Sequence, residues 1–243
     1  MVFIGALGAR DVMLAQGVAA NNLANASTTG FRADLARFAS QGVDGPGFDT
    51  RAFSNVEPTT VDLATGALEQ TGRPLDVAID GDGFLAVQAP DGSEAYTRAG
   101  DLRRGPGGML VTGGGHPVLG EGGPLVLPPI ADAAVAADGT VSVRTPGENG
   151  DVVARLDRLK LVASEGLEWT KGNDGLLRTT DGNPAPLDAN VKLVPGALEA
   201  SNVSPVGELV RLIELGRQYE LQVRVMRTAQ DVDRASDSML RLS

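Results

Sequence analysis

The sequence has no cysteine, a single histidine and a single tryptophan among 243 residues, and no proline before Pro46 or after Pro205. Without cysteine there are no disulfides and no thiolate metal sites; compartment stays open, because oxidising and reducing locations both tolerate cysteine-free chains. One histidine without cysteine cannot build a zinc centre, so His116, in GGGHPVLG, reads as a loop or strand-edge residue. Aromatics at 4% leave the core to small aliphatic side chains. No run approaches the ~20 apolar residues that span a bilayer. The opening MVFIGALG is apolar, but no basic residue precedes it and Arg10, Asp11, Asn21 and Asn22 interrupt it. It is therefore expected to be helix rather than a cleaved signal, with any export by another route. The net charge of −10 argues against nucleic acid and anionic membranes.

Catalytic signatures are also missing. There is no G-x-S-x-G elbow, no Walker loop and no G-x-G-x-x-G after a strand. Asp76, Asp80 and Asp82 in DVAIDGDGF superficially resemble a calcium loop, but the glutamate and frame of an EF-hand are absent and paired tight turns fit better. Other carboxylates crowd into turns, where Asp serves backbone geometry. The sequons Asn25-Ala-Ser27 and Asn202-Val-Ser204 are short enough to arise by chance and sit at helix ends. The expectation is a protein that is not an enzyme, with no catalytic residue, cofactor or metal.

What is present is sorted along the chain. All 14 prolines and 26 of the 32 glycines lie between Gly42 and Pro205, so helix breakers are excluded from both ends. Charge follows the same division: residues 1–41 carry +1, residues 201–243 are neutral and the middle holds −11. Near the N-terminus Ile4, Leu7, Leu14, Val18, Asn21 and Asn25 share one helical seam, interrupted by Asp11, and Gly30 is placed as the left-handed residue that closes the helix. Near the C-terminus Ser204-Pro205 reads as N-cap and first helical residue, with Glu208 in the first turn. The helix that follows would run about 54 Å. It carries two apolar stripes: Leu209, Leu212, Gly216, Tyr219, Val223 and Met226 on one side, Leu221, Val225, Ala229, Val232 and Met239 on the other. One stripe suffices for one partner; two imply contacts on more than one side, and packing against other chains is the stronger reading.

The middle reads as β. Asp-Gly occurs six times between residues 75 and 195, and FLAVQAP-DG-SEAYTR and VAADGTVSVRT are hairpin patterns around Asp91-Gly92 and Asp138-Gly139. The expected organisation is residues 1–30 as an N-terminal helix, 31–74 as a connector in which FRADLARFA forms a short helix and GVDGPGFD a loop, 75–195 as a β-rich domain, and 196–243 as a C-terminal helix. The fold class is α+β.

Three stretches in order carry a resemblance. ANNLANASTTGFR (20–32) is similar to the N-terminal signature of the bacterial flagellar rod and hook proteins, GALEASNVSPVGELVRLIELGRQYELQVRVM (196–226) to their C-terminal signature, and TGRPLDVAIDGDGFLAVQAPDGSEAYTRAGDL (71–102) to the central block of the longer members. The short span from Gly30 to Pro74 is most like the proximal rod members. The resemblance implies terminal helices paired as a coiled coil that lines a tube, a β domain outside it, and a subunit of the basal-body rod that transmits torque across the periplasm. Its partners would be other copies of itself, neighbouring proximal and distal rod proteins and the flagellar type III export apparatus. The assembly interface would be the two end helices: Ile4, Leu7, Leu14, Val18, Asn21 and Asn25 with Leu209, Leu212, Gly216, Tyr219, Val223, Val225, Met226, Val232 and Met239, with Gly30 at the helix-end turn. Asparagine lowers helix propensity, but between packed helices its amide fixes register. That role is expected of Asn21 and Asn25 and left open for Asn22. The alternatives are a distal rod or hook-type subunit and, from another class, a secreted carbohydrate- or calcium-binding β protein with an oligomerising tail. The latter needs Trp169, Phe84 and Tyr96 clustered on the surface.

Overall fold

Along the chain a long helix comes first and another last, with a succession of short strands between them in sequence, as the distribution of glycine and proline dictates. The structure, a computed structural model, describes residues 2–36, 38–42, 52–56, 60–128, 132–144 and 153–240. Helix α1 runs Val2–Ala24 and helix α2 runs Pro205–Leu240. Helix α2 begins as expected: Pro205 is its first residue, Ser204 Oγ accepts the Gly207 N–H at 3.3 Å, and Glu208 sits in the first turn. Among the described residues, no helix is long and apolar enough to cross a membrane.

Two expectations near the N-terminus are corrected. Gly30 is left-handed, at φ +66°, but α1 already ends at Ala24 and a run of turns intervenes. The Asn25 carbonyl accepts Thr28 N–H at 3.1 Å and its side chain accepts Thr28 Oγ at 3.2 Å, so the asparagine draws the chain out of the helix early. FRADLARFA is not helical either: Asp34–Leu35 and Phe38–Gly42 are strands. The backbone of Gly30–Ala33 is committed to long-range hydrogen bonds, which a helix would forfeit. The loop segment 43–49 lies outside the described residues.

The chain divides into two compact units. One comprises Met1–Ala24, Asp34–Thr60 and Ser204–Ser243; the other comprises Asn25–Ala33 and Val61–Val203. In the first, α1 packs against α2, and Phe38–Gly42 pairs with Ala52–Val56 in an antiparallel hairpin. The described residues of the second are strands and turns with one short 3-10 helix, Pro106–Gly108. Its five-stranded antiparallel sheet has the order Leu161–Val162, Phe84–Gln88, Glu94–Thr97, Leu177–Thr179, Trp169–Lys171, and a three-stranded sheet joins Asp132–Val135, Thr140–Arg144 and Val153–Arg158. Both expected hairpins are present, turning at Gly92 (φ +84°) and Gly139 (φ +83°).

The strand Phe84–Gln88 explains the β core. Its alternating side chains point into two different clusters: Leu85 and Val87 into one with Leu110, Val118, Val141 and Leu159, and Phe84 and Ala86 into another with Tyr96 and Trp169. Trp169 packs edge-to-face on Phe84 and Tyr96, with ring centroids 4.7 and 5.1 Å away. The three aromatics that a carbohydrate-binding surface required are therefore core residues.

Candidate functional site: a helical pair and a buried clasp

In the helical unit the contact between α1 and α2 is made mostly by small residues. Gly5, Ala9, Val12, Ala15 and Ala19 are buried along one side of α1, and Val12, Ala15 and Ala19 cluster with Leu215 and Leu212 of α2. A Cβ built at Gly5 would stand 2.6 Å from Met226 Cγ, and one at Gly8 3.1 Å from Gln222 Cδ, so glycine permits the close approach. Of the residues expected on the interface, Leu7, Val18, Asn25, Leu212, Gly216, Val223 and Met226 are half-buried, while Leu14, Asn21, Leu209 and Tyr219 are exposed. The side chains of Ile4 and Met239 lie outside the described residues. The small-residue seam was not singled out in the sequence, because alanine and glycine carry little hydropathy signal, and the buried Leu215 lay outside both apolar stripes.

The opposite side of α2 is apolar and wet. Val206, Val210, Ile213, Leu221, Val225 and Val232 are all exposed, Val225 to 51% and Ile213 to 58%. This is the second stripe, extended toward the N-terminus of the helix by three residues that the sequence pattern did not include. The exposed Arg217 and Arg224 stand between these side chains on the same face, which is a candidate interaction surface.

Asn22, whose role stood open, is fully buried. Its Oδ1 accepts Asp34 N–H at 2.8 Å and its Nδ2 donates to Asp34 O at 2.9 Å, so the side-chain amide takes the place of a neighbouring strand. The same Nδ2 reaches Glu208 Oε1 at 3.4 Å. One amide thus ties the end of α1, a strand and the first turn of α2. Asp11, the polar interruption of the seam, is also buried; Arg10 pairs with its Oδ1 at 3.0 Å and its Oδ2 has no hydrogen-bond partner.

In the β unit the residues that follow α1 and those that precede α2 close on a buried ion triad. Glu199 receives Arg32 Nη2 at 2.6 Å on one oxygen and Arg98 Nη1 at 2.9 Å on the other, and all three side chains are buried. Gly66 N–H adds a bond to Glu199 at 2.7 Å, and Arg98 donates onward to Gly83 O and Gly81 O. Burial draws the Arg32 guanidinium below its ordinary pKa, opposed by its hydrogen bond to Glu199. The left-handed Gly30 lies flat on the main chain of Arg98, where a Cβ would fall 2.2 Å from the Arg98 carbonyl carbon. Asn202 of the second sequon is a structural hub: its Oδ1 accepts Ala33 N–H at 2.8 Å and its Nδ2 donates to Asp62 O and Ala64 O, both at 3.1 Å.

The other candidates are plain. Asp80 and Asp82 are exposed beside Gly81 and Gly83, both of positive φ. His116 closes a tight turn with Thr112, its carbonyl accepting Thr112 N–H at 3.0 Å. Among the described residues no group of three or more His, Cys, Asp or Glu side chains is arranged to hold a metal.

The two signatures that frame the clasp have counterparts in known proteins. Three family profiles match: the flagella basal body rod protein family over residues 5–32, the flagellar hook protein FlgE/F/G D1 domain over 78–143, and the flagellar basal body rod FlgEFG protein C-terminal region over 194–239. The chain is 42% identical over 245 residues to the flagellar basal-body rod protein FlgF of Salmonella typhimurium, covering 98% of this chain and 97% of that protein. It is 40% identical to FlgF of Escherichia coli, with the same coverage. Against the rod protein FlgG of Buchnera aphidicola (subsp. Schizaphis graminum) the identity is 33%, over 87% of this chain and 88% of that one.

Proposed function

The chain belongs to the flagellar basal-body rod protein family, and from that premise we propose that it is a structural subunit of the proximal rod that assembles through its end helices. The rod is the periplasmic shaft of the flagellar basal body, and a subunit of it works by transmitting torque through its contacts. Likeness to FlgF over nearly the whole chain, at higher identity than to the FlgG of Buchnera, supports the proximal position. The distal-rod alternative and the ligand-binding alternative are not favoured.

The observation that carries the reading is the exposed apolar row of α2. Helix α1 occupies one side of α2, and the row lies on the other, where the helices of neighbouring subunits would bury it. Pairing of α1 with α2 extends, in this reading, into a coiled-coil wall of the rod, with Leu14, Asn21, Leu209, Tyr219, Val225 and Val232 facing neighbours. Export through the type III apparatus fits a chain whose apolar N-terminus forms helix. The rod needs neither catalysis nor cofactor.

The test is site-specific photocrosslinking in isolated basal bodies. A crosslinker at Val225 should capture another rod subunit, itself or a proximal or distal neighbour, and the adduct identifies which. A crosslinker at Asn183, on the β unit, should not capture the same species. Equal capture from both positions, or none from Val225, removes the support for helix-mediated assembly.

A further inference from the structure

We draw no further inference here: the strongest candidate, the outward face of α1 where Met13 and Leu14 are exposed and a Cβ at Gly17 would stand in open space, is an unpartnered apolar face and nothing in the structure shows what covers it.

Discussion

Replacing Gly30 by alanine tests the clasp at its tightest point. Two costs add. The first is conformational: a Cβ at φ +66° costs about 1–2 kcal/mol, as at any left-handed site. The second is steric. The added carbon would lie 2.2 Å from Arg98 C and 2.4 Å from Ala99 N and Arg98 O, and these are main-chain atoms. They cannot withdraw without disturbing Arg98, whose guanidinium is fixed by Glu199, Gly83 O and Gly81 O. Overpacking of this kind adds about 1–3 kcal/mol, for a total of about 3–5. Gly92→Ala supplies the control, since φ is +84° there and nothing lies within 4 Å of the added carbon, so only the first cost of about 1–2 kcal/mol applies. Trp169, the sole tryptophan, packs in the β core and reports unfolding of this unit by fluorescence. In urea both variants should lower the midpoint at unchanged slope, Gly30→Ala by much more. A Gly30→Ala loss no larger than that of Gly92→Ala refutes the close approach.

Three further outcomes follow from buried or turn polar groups. Glu199→Gln leaves two buried guanidinium groups without a charge partner and should destabilise the β unit by about 3–5 kcal/mol in the same urea experiment. Asn22→Asp removes the donor to Asp34 O and sets a carboxylate against Glu208, costing about 2–3 kcal/mol at neutral pH; adding Glu208→Gln, whose amide can donate to the new carboxylate, should recover part of that loss. Hydrogen bonds from the Thr140 backbone and hydroxyl hold Asp138 below its ordinary pKa; Ser93 and Asn183 lower Asp91 and Asp181 in the same way, and the Arg178 guanidinium lowers Asp174. With lowered folded values the unfolded state binds more protons, so this stability is fully present above the ordinary carboxylate range and is lost as pH falls through the lowered values. Asp138→Asn, which keeps the acceptor for Thr140 N–H, should flatten the acid limb of a stability–pH curve; an unchanged limb contradicts the assignment.

How much of this was legible varied with the kind of signal. Breaker distribution located both helices, and the Ser204-Pro205 cap placed the start of α2 to the residue, because local hydrogen bonding decides it. The Asp-Gly hairpins were equally local. The stretch 31–36 misled because its neighbours 62, 171, 199 and 202 are distant in sequence, and their bonds outweigh helix propensity. The clasp was hidden for the same reason: Arg32, Arg98 and Glu199 look like ordinary surface charges until the fold brings them together. Apolar periodicity identified large side chains on α2 but missed the glycine and alanine seam of α1, where the absence of bulk makes the contact. Asn22 was visible as an anomaly, and only its partners, the Asp34 backbone and Glu208, assign it a role.

The central claim is that the work of this protein lies in the outward row of α2 and not in any pocket. Basal bodies purified from a deletion strain complemented with single variants test it directly. Val225→Asp should be folded and exportable, because that position is already wet in the isolated chain. Between subunits the same carboxylate would be buried without a partner at a cost of several kcal/mol, about enough to halt rod growth at this subunit's step. His116→Ala, and Asp80→Ala with Asp82→Ala, should build complete rods. Normal rods from Val225→Asp together with failed rods from the His116 or Asp80 and Asp82 variants would contradict the account and return a ligand-binding role to the β unit.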